Sequence, residues 1–352
     1  MPEFGLAGAE IMCENLCYQI QDSSKYNLYV ASLYDFHSPI TERMEKKGLK
    51  IIYLGKKQGL DLGVFVKLYR IIKLYKIDIV HTHRYVLLYA ILPSIIARVK
   101  VRVHTIHNIA TMEVNGYRRK LSYFLFKNCG VIPVSISPLV QKTVIKEYNL
   151  TESQTPLIYN GVDLSSCLIK DNYVASEPFR FVHIGRFNPQ KNHELIISAA
   201  EVLMNEGYRF TINLIGGAGN EKQREEEVNN KGLDKVILFS GLQSNVYPFL
   251  KESDCFILPS KYEGMPVTLI EAMGCGLPII ASEVGGVPDM IANEESGLLI
   301  HATIKELVFA MKRVMADERL REKLGSCALA NSKRFTSRAM FEGYDKVYSD
   351  NK

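Results

Sequence analysis

The sequence has few cysteines, and their arrangement cannot cross-link a small domain. Seven cysteines are scattered through 352 residues, and Cys13 and Cys17 are the only close pair. An odd number at wide spacing argues against a disulfide framework, and no second close pair completes a zinc-like pattern. We therefore expect reduced, buried thiols in a cytoplasmic protein.

Long hydrophobic runs and a secretory leader are also lacking. The most apolar run, residues 85–97, contains Pro93 and is shorter than the roughly 20 residues of a bilayer-spanning helix. It is better interpreted as a buried helix. Residues Met1–Gly5 carry no basic end and lead into no long apolar core, so we expect no signal peptide.

The charge is unevenly distributed along a chain of otherwise ordinary composition. Hydrophobic residues make up 47% and charged residues 23%, and the length favours two globular domains. Residues 1–170 carry 22 Lys and Arg against 13 Asp and Glu, whereas residues 171–352 carry 21 against 25. The basic first half suggests an anionic partner. No helix-turn-helix, zinc-finger or aromatic-sheet motif is visible, so we do not expect nucleic acid binding.

The first half alternates between short apolar strands and helical patterns, which is typical of a doubly wound parallel sheet. Strands are predicted at 27–33, 50–54, 78–82, 101–106 and 130–134, with helices at 60–75, 85–98 and 118–127. A glycine-containing turn at 5–10 opens a helix without a strand before it. Such turns normally follow a buried strand, so we expect the first strand to be missing by truncation and to leave a gap in the sheet.

Histidines follow two of these strands. His81 and His83 end one, and His104 and His107 end the next. Four histidines could bind a metal, but strand alternation places His81 and His104 inside the strands, where they would not converge with the other two. Core or substrate-contact roles are favoured over a metal site.

A basic stripe runs along the helix predicted at 60–75. Lys67, Arg70, Lys73 and Lys76 repeat every three residues beside an apolar face. Interfacial helices on anionic membranes have this pattern, and an ordinary solvated face is an equal alternative.

The second half begins a new α/β pattern after a polar linker at 164–178. Strands are predicted at 179–184, 210–215, 236–240, 254–260, 278–281 and 297–300. Arg186 and Lys191 lie five positions apart in the loop after the first of these strands. A planar guanidinium and a point-charge ammonium in one loop can hold one anion, such as a diphosphate.

Two carboxylates lie eight positions apart in the stretch from Glu263 to Gly276. Glu263 lies in a strand-to-helix loop, and Glu271 lies about two turns further on, in a helix that starts at Pro266. The first helical amides, near Val267 and Thr268, suit an anion. Ligands bind at this edge of α/β sheets. A capped helix with two solvated acids is the alternative, and the neighbouring Arg186 and Lys191 favour a ligand site.

The chain resembles the retaining glycosyltransferases of family four, which have the two-domain GT-B architecture. The resemblance covers nearly the whole chain and rests on five groups of residues: Gly8-Ala9-Glu10, His107, Gly185-Arg186 with Lys191, Glu263 with Glu271, and Gly285-Gly286-Val287-Pro288-Asp289. The family usually has two adjacent glycines before Ala-Glu, whereas Ala7 occupies the first position here. The resemblance implies two doubly wound, Rossmann-like domains that face a central cleft.

The resemblance also implies domain boundaries. Residues 1–164 would form the acceptor-side domain, and residues 165–336 the donor domain. A C-terminal helix at 337–352 would cross back onto the first domain. The donor would be a nucleotide-diphosphate sugar, with a UDP-sugar favoured over a GDP-sugar, and no cofactor or metal is expected.

Residue roles follow from the same resemblance. Arg186 and Lys191 would hold the diphosphate, Glu271 the ribose hydroxyls and Glu263 the donor sugar, which His107 would approach from the first domain. Glu263 is favoured as a hydroxyl ligand over a nucleophile. The remaining residues implied in donor binding are Gly8, Gly264, Met265, Pro266, Val267 and Thr268, and those implied on the acceptor side are His83 and Asn108.

The expected function is transfer of a sugar to a saccharide or lipid-linked acceptor in bacterial surface polysaccharide or glycolipid synthesis. The protein would be cytoplasmic and peripheral on the inner face of the membrane, which the basic first half fits. Two alternatives stay open at the level of sequence. One is a nucleotide-sugar epimerase of similar shape, and the other is a non-catalytic nucleotide-sugar-binding subunit.

Overall fold

The computed structural model of the chain describes residues 1–114 and 116–351. The chain forms two units. The first comprises Met1–Gly161 and the segment from Ser337 onward, and the second comprises Val162–Thr336. Both units contain parallel strands that alternate with helices. The predicted α/β class is therefore confirmed.

The first unit contains five short strands and the helices that connect them. Its strands are β1 Val30–Ser32, β2 Ile51–Tyr53, β3 Ile79–His83, β4 Val101–Ile106 and β5 Val131–Ser135. Its helices are α1 Gly8–Asp22, α2 Pro39–Lys46, α3 Leu62–Leu74, α4 Leu87–Ile96, α5 Ala110–Glu113, α6 Tyr117–Asn128 and α7 Pro138–Tyr148.

The five strands form two sheets, whereas the sequence predicts one sheet with a gap. β1 pairs with β2, and β3, β4 and β5 form a separate parallel sheet. Met1 and Pro2 lie beside the end of β1, where the Leu33 and Tyr34 N–H groups donate to their carbonyls at 3.1 and 3.0 Å. The Met1 amino group donates to the Ala31 carbonyl at 3.0 Å. Only the end of β1 gains a partner in this way, because two residues supply few backbone hydrogen bonds.

The last helix of the chain belongs to the first unit. It spans Ser337–Asp350 and contacts α1. The Tyr344 hydroxyl lies 2.7 Å from Thr105 Oγ1 in β4, and the Tyr348 hydroxyl lies 2.7 Å from His81 Nδ1 in β3. Buried tyrosine hydroxyls need such partners, so this helix is part of the core around the β3–β5 sheet.

The second unit contains one sheet of six parallel strands and seven helices. The strands are β6 Phe179–Ile184, β7 Phe210–Ile215, β8 Ile237–Gly241, β9 Cys255–Leu258, β10 Ile279–Ser282 and β11 Leu298–Ile300. The helices are α8 His193–Asn205, α9 Glu221–Asn230, α10 Tyr247–Glu252, α11 Val267–Gly274, α12 Val287–Met290, α13 Ile304–Ala316 and α14 Glu318–Ser332, so that the helix Ser337–Asp350 is α15. Every residue of β9 is buried, as predicted for a strand that is covered on both faces.

The strand order of the second unit changes direction between β6 and β9. The order is β11-β10-β9-β6-β7-β8, so the sheet extends from β6 through β7 and β8, and from β9 through β10 and β11. The loops that follow β6 and β9 leave the same edge of the sheet on opposite sides of this point. A crevice at such a switch point is where open α/β sheets bind ligands.

Candidate active site

Lys191 and Glu263 form an ion pair at the switch point of the second unit. Lys191 Nζ lies 2.7 Å from Glu263 Oε1, and the two side chains are 14% and 6% exposed. Lys191 comes from the loop after β6, and Glu263 comes from the loop after β9. A mostly buried pair is stable only with good geometry and further hydrogen bonds. The contact therefore holds two predicted site residues in a defined orientation.

Gln190, which the sequence analysis missed, contacts the same loop. Its Nε2 donates to the Tyr262 carbonyl at 3.0 Å and lies 3.4 Å from Glu263 Oε2. Its own carbonyl accepts from the Lys261 N–H at 2.8 Å. A glutamine between a proline and a lysine has no pattern that would have indicated this role.

Gly285 supports the Glu263 loop from the other side. A Cβ at Gly285 would lie 1.7 Å from the Glu263 carbonyl oxygen, and the residue has a φ of +61°. The Gly286 N–H donates to that same carbonyl at 3.3 Å. Only glycine allows this close approach of two backbones. This close approach therefore explains why the turn at Gly285-Gly286 needs glycine at its first position.

The N-terminus of α11 follows closely after Glu263 and has no side-chain cap. Pro266 is the N-cap and provides no side-chain cap, so the amides of the first turn lack a side-chain acceptor. Thr268 Oγ1 is buried without a hydrogen-bond partner in the part of the chain that the structure describes. Free amides and the helix dipole make such a terminus suitable for an anion. Gly264 and Met265 form the buried connection between Glu263 and this helix.

Glu271 lies within α11 and is buried. Burial, followed by the charge of Glu271, raises the pKa of Tyr247, so these two side chains lie in one neighbourhood. The predicted placement of the two acids is confirmed: Glu263 lies in the strand-to-helix loop, and Glu271 lies in the helix that follows.

Arg186 does not join the Lys191–Glu263 pair. Its side chain is exposed, and the guanidinium makes no hydrogen bond or ion pair with residues 1–114 or 116–351, although the backbone carbonyl accepts from the Asn188 N–H at 2.8 Å. That Arg186 and Lys191 hold one anion stays a prediction. Arg186 retains all its guanidinium donors for a ligand.

Two of the four histidines that lie in or directly after β3 and β4 meet where these strands end. His83 Nδ1 lies 3.1 Å from His107 Nε2. Burial, followed by the neighbouring His81 and His107, lowers the pKa of His83. Burial, followed by His104 and Arg84, lowers the pKa of His107. Both rings are therefore neutral at pH 7, and one must donate to the other.

The other two histidines have partners within the core. His81 Nε2 lies 2.7 Å from Thr105 Oγ1, and His104 Nδ1 lies 2.9 Å from Thr82 Oγ1. The His81 ring nevertheless packs against the His83 ring, with the two centroids 4.4 Å apart, so the expectation that His81 would stay separate from the other pair is wrong. No cluster of three or more His, Cys, Asp or Glu suited to a metal is found among residues 1–114 and 116–351.

The remaining predicted residues of the first unit lie near the same edge. Gly8 is the first residue of α1. Asn108 Oδ1 accepts from the Ile109 N–H at 2.9 Å. Sequence reasoning missed Arg84, which follows β3 with a φ of +54° and pairs with the buried Glu10 at 2.6 Å. A positive φ at a non-glycine residue costs free energy and is frequent at functional sites.

Comparisons with known proteins find matches for both halves of the chain. The model of glycosyltransferase family 4 matches residues 7–166, and the model of glycosyl transferases group 1 matches residues 168–329. The chain is 31% identical over 288 residues to the UDP-Gal:alpha-D-GlcNAc-diphosphoundecaprenol alpha-1,3-galactosyltransferase of Escherichia coli, covering 76% of this chain and 74% of the relative. It is 26% identical to the putative glycosyltransferase EpsF of Bacillus subtilis, covering 78% and 76%.

Solved structures share the fold at lower identity. The Anabaena protein HepE in complex with UDP and glucose aligns with a TM-score of 0.86 at 19% identity, over 99% of this chain and 98% of that one. The lipopolysaccharide outer core galactosyltransferase WaaB aligns with a TM-score of 0.75 at 18% identity, over 99% and 97%.

The fold and the site define a glycosyltransferase of the GT-B class, with two Rossmann-like units. The chain belongs to glycosyltransferase family 4, the glycosyl transferases group 1. Its relatives are named as transferases of polysaccharide and lipid-linked synthesis, which favours transfer over the epimerase and the non-catalytic subunit. No helix within residues 1–114 and 116–351 is both long and apolar enough to cross a membrane.

Proposed function

We propose that this protein transfers a sugar from a UDP-sugar to a lipid-linked saccharide acceptor, with retention of anomeric configuration and without a metal. The observation that carries the proposal is the Lys191–Glu263 pair beside the uncapped N-terminus of α11. Lys191, the exposed Arg186 and the α11 amides supply positive potential for the charge that grows on a departing diphosphate. A metal ion would supply the same stabilisation, and these groups remove the need for it.

Glu263 acts in this proposal as a ligand for donor-sugar hydroxyls. Its Oε1 already accepts from Lys191, so the carboxylate is held for hydrogen bonding and its charge is partly compensated. Glu271 binds the ribose hydroxyls of the nucleotide. His107, neutral at pH 7, contacts the donor sugar, while His83 and Asn108 serve the acceptor side. Gly264, Met265 and Pro266 contact the donor through their backbone.

The test is a transfer assay with UDP-, GDP- and ADP-sugars and a short-chain GlcNAc-diphospho-lipid. We expect binding and turnover with a UDP-sugar, a product with the anomeric configuration of the donor by proton NMR, and full activity in EDTA. An inverted product, or activity that EDTA abolishes, would overturn the corresponding part of the proposal. Intact-protein mass spectrometry should detect no glycosyl adduct on Glu263. His107→Ala should lower turnover and leave UDP affinity unchanged.

A lipid-linked acceptor is held in a membrane, so this proposal includes a peripheral position of the protein on the inner face of the membrane. Helix α3 supports it, because aliphatic side chains lie exposed among the basic ones. Leu62 and Leu74 are 68% and 72% exposed, and Arg70 and Lys73 are exposed on the same helix. Exposed apolar side chains beside basic ones are typical of helices that lie in a membrane interface. Lys67 donates to the Leu54 carbonyl at 2.6 Å, so it is engaged locally.

Vesicle co-sedimentation tests this surface. We expect the protein to bind vesicles that contain phosphatidylglycerol and not pure phosphatidylcholine, because each exposed lysine or arginine contributes about 1 kcal/mol near an anionic surface. Arg70→Glu combined with Lys73→Glu should abolish binding. Lys222→Glu in α9 of the second unit is the matched control and should have no effect. Binding that is insensitive to anionic lipid would refute this part.

A further inference from the structure

The loops that follow β6 and β9 are joined along their length. Asn192 Nδ2 donates to the Pro259 carbonyl at 3.1 Å, and the Lys261 N–H donates to the Gln190 carbonyl at 2.8 Å. Gln190 Nε2 then donates to the Tyr262 carbonyl at 3.0 Å. Asn192 thus pairs with Pro259, whereas Gln190, which comes earlier in its loop, pairs with Lys261 and Tyr262, which come later in theirs. The two loops therefore run antiparallel at the sheet edge.

Gln190 is the residue of this pairing whose side chain reaches a carboxylate of the site. Its Nε2 lies 3.4 Å from Glu263 Oε2, while the ammonium of the next residue, Lys191, lies 2.7 Å from Oε1. Successive residues of one loop thus contact the two oxygens of one carboxylate. An acceptor held at both oxygens has a fixed rotation about its last side-chain bond.

We infer that Gln190 is a positioning residue that orients the Glu263 carboxylate for the donor sugar. A neutral amide suits this task, because it restrains Oε2 without placing a second positive charge on the carboxylate. Small displacements of a positioned group cost large factors in rate. Gln190 acts through Glu263 and the 259–263 loop, and it needs no contact with substrate. The inference rests on the proposed function, since turnover is its first readout.

Gln190→Met tests the contact, because methionine has a similar length and no donor. We expect kcat to fall about ten-fold, as for loss of a hydrogen bond to a charged group. The donor KM and the melting temperature should change little. Gln223→Met, at an exposed position of α9, is the matched control and should behave as wild type. Loss of folding stability with unchanged kcat would show a merely structural role and overturn the inference.

Gln190→Glu gives a second, opposite test through pH. The introduced carboxyl lies beside Glu263, so the like charge raises its pKa above the usual value of about 4.3. When it is protonated at low pH it can donate again. Activity relative to wild type at the same pH should therefore be lowest near pH 8 and recover as the pH falls towards 5. A constant ratio across this range would contradict the inference.

A third readout does not depend on turnover. In protein labelled with carbon-13 at glutamate carboxyls, the Glu263 signal is assigned by its loss in Glu263→Gln. This signal should shift in Gln190→Met and stay unchanged in Gln223→Met. If no donor supports transfer by wild type, the proposed function fails, and the carboxyl signal alone decides the role of Gln190. An unchanged signal in Gln190→Met would refute it.

Discussion

Removing the Lys191 ammonium should destabilise the second unit as well as abolish transfer. In Lys191→Ala the Glu263 carboxylate, 6% exposed, loses the partner on its Oε1. Breaking a buried ion pair by deleting one partner typically costs about 3–5 kcal/mol. We expect the lower end of that range, because Gln190 still lies against Oε2. A loss of about 3 kcal/mol corresponds to a fall of about 6–12 °C in the melting temperature of a domain of this size.

The double variant Lys191→Met with Glu263→Gln separates the two causes. It leaves no charge buried, so most of the lost stability should return, while UDP-sugar turnover should remain absent. Thermal and urea unfolding measure the first effect, and the transfer assay measures the second. Lys235→Ala, an exposed lysine of the same unit, is the control. For a domain of this size, 1 kcal/mol of stability corresponds to about 2–4 °C in melting temperature. A melting temperature of Lys191→Ala within about 2 °C of wild type would therefore refute the argument that the pair is buried and coupled.

Two further perturbations test the packing around the site. Gly285→Ala places a methyl group 1.7 Å from the Glu263 carbonyl oxygen and should lower turnover about a hundred-fold, because the loop is displaced. The control is Gly232→Ala, which has a similar φ of +66° and no atom within 4 Å of the new methyl group, and it should leave turnover unchanged. Equal effects of the two variants on turnover would contradict the contact. Burial lowers the pKa of His183 to about 4, partly opposed by its hydrogen bond to the Ile257 carbonyl. The unfolded imidazole has a pKa of about 6.5, so between about pH 6.5 and 4 the unfolded state binds more protons than the folded state. As the pH falls through this range, the unfolding free energy should therefore decrease by about 1.4 kcal/mol per pH unit for this group. Urea titrations should show a flatter pH dependence in His183→Gln, and an identical slope would argue against the buried neutral ring.

The second unit follows the sequence closely because its patterns are local. The uninterrupted apolar run of β9, followed by a proline at the start of α11, places Glu263 in a loop and Glu271 in a helix without knowledge of any other segment. The anionic suitability of the α11 terminus follows from the same local pattern. Periodicity and turn residues are sufficient for such elements.

Other features depend on which distant segments meet. Gln190 and Glu263 are 73 positions apart, and their contact follows from the pairing of β6 with β9, which no local pattern specifies. The contact between Lys191 and Glu263 has the same origin. In the first unit, the sequence indicated a gap in the sheet. It did not indicate that Met1 and Pro2 would bond to the end of β1.

The last helix has a consequence for the order in which the protein matures on the ribosome. Tyr344 and Tyr348 contribute hydroxyl partners to Thr105 and His81, so the core around β3 and β4 includes residues that are synthesised after the whole of the second unit. The second unit is continuous in sequence and can complete its own sheet earlier. The unit whose synthesis begins first is thus the last to acquire its full set of buried contacts. Until the last helix is made, the part of the β3–β5 core that Tyr344 and Tyr348 contact lacks these partners.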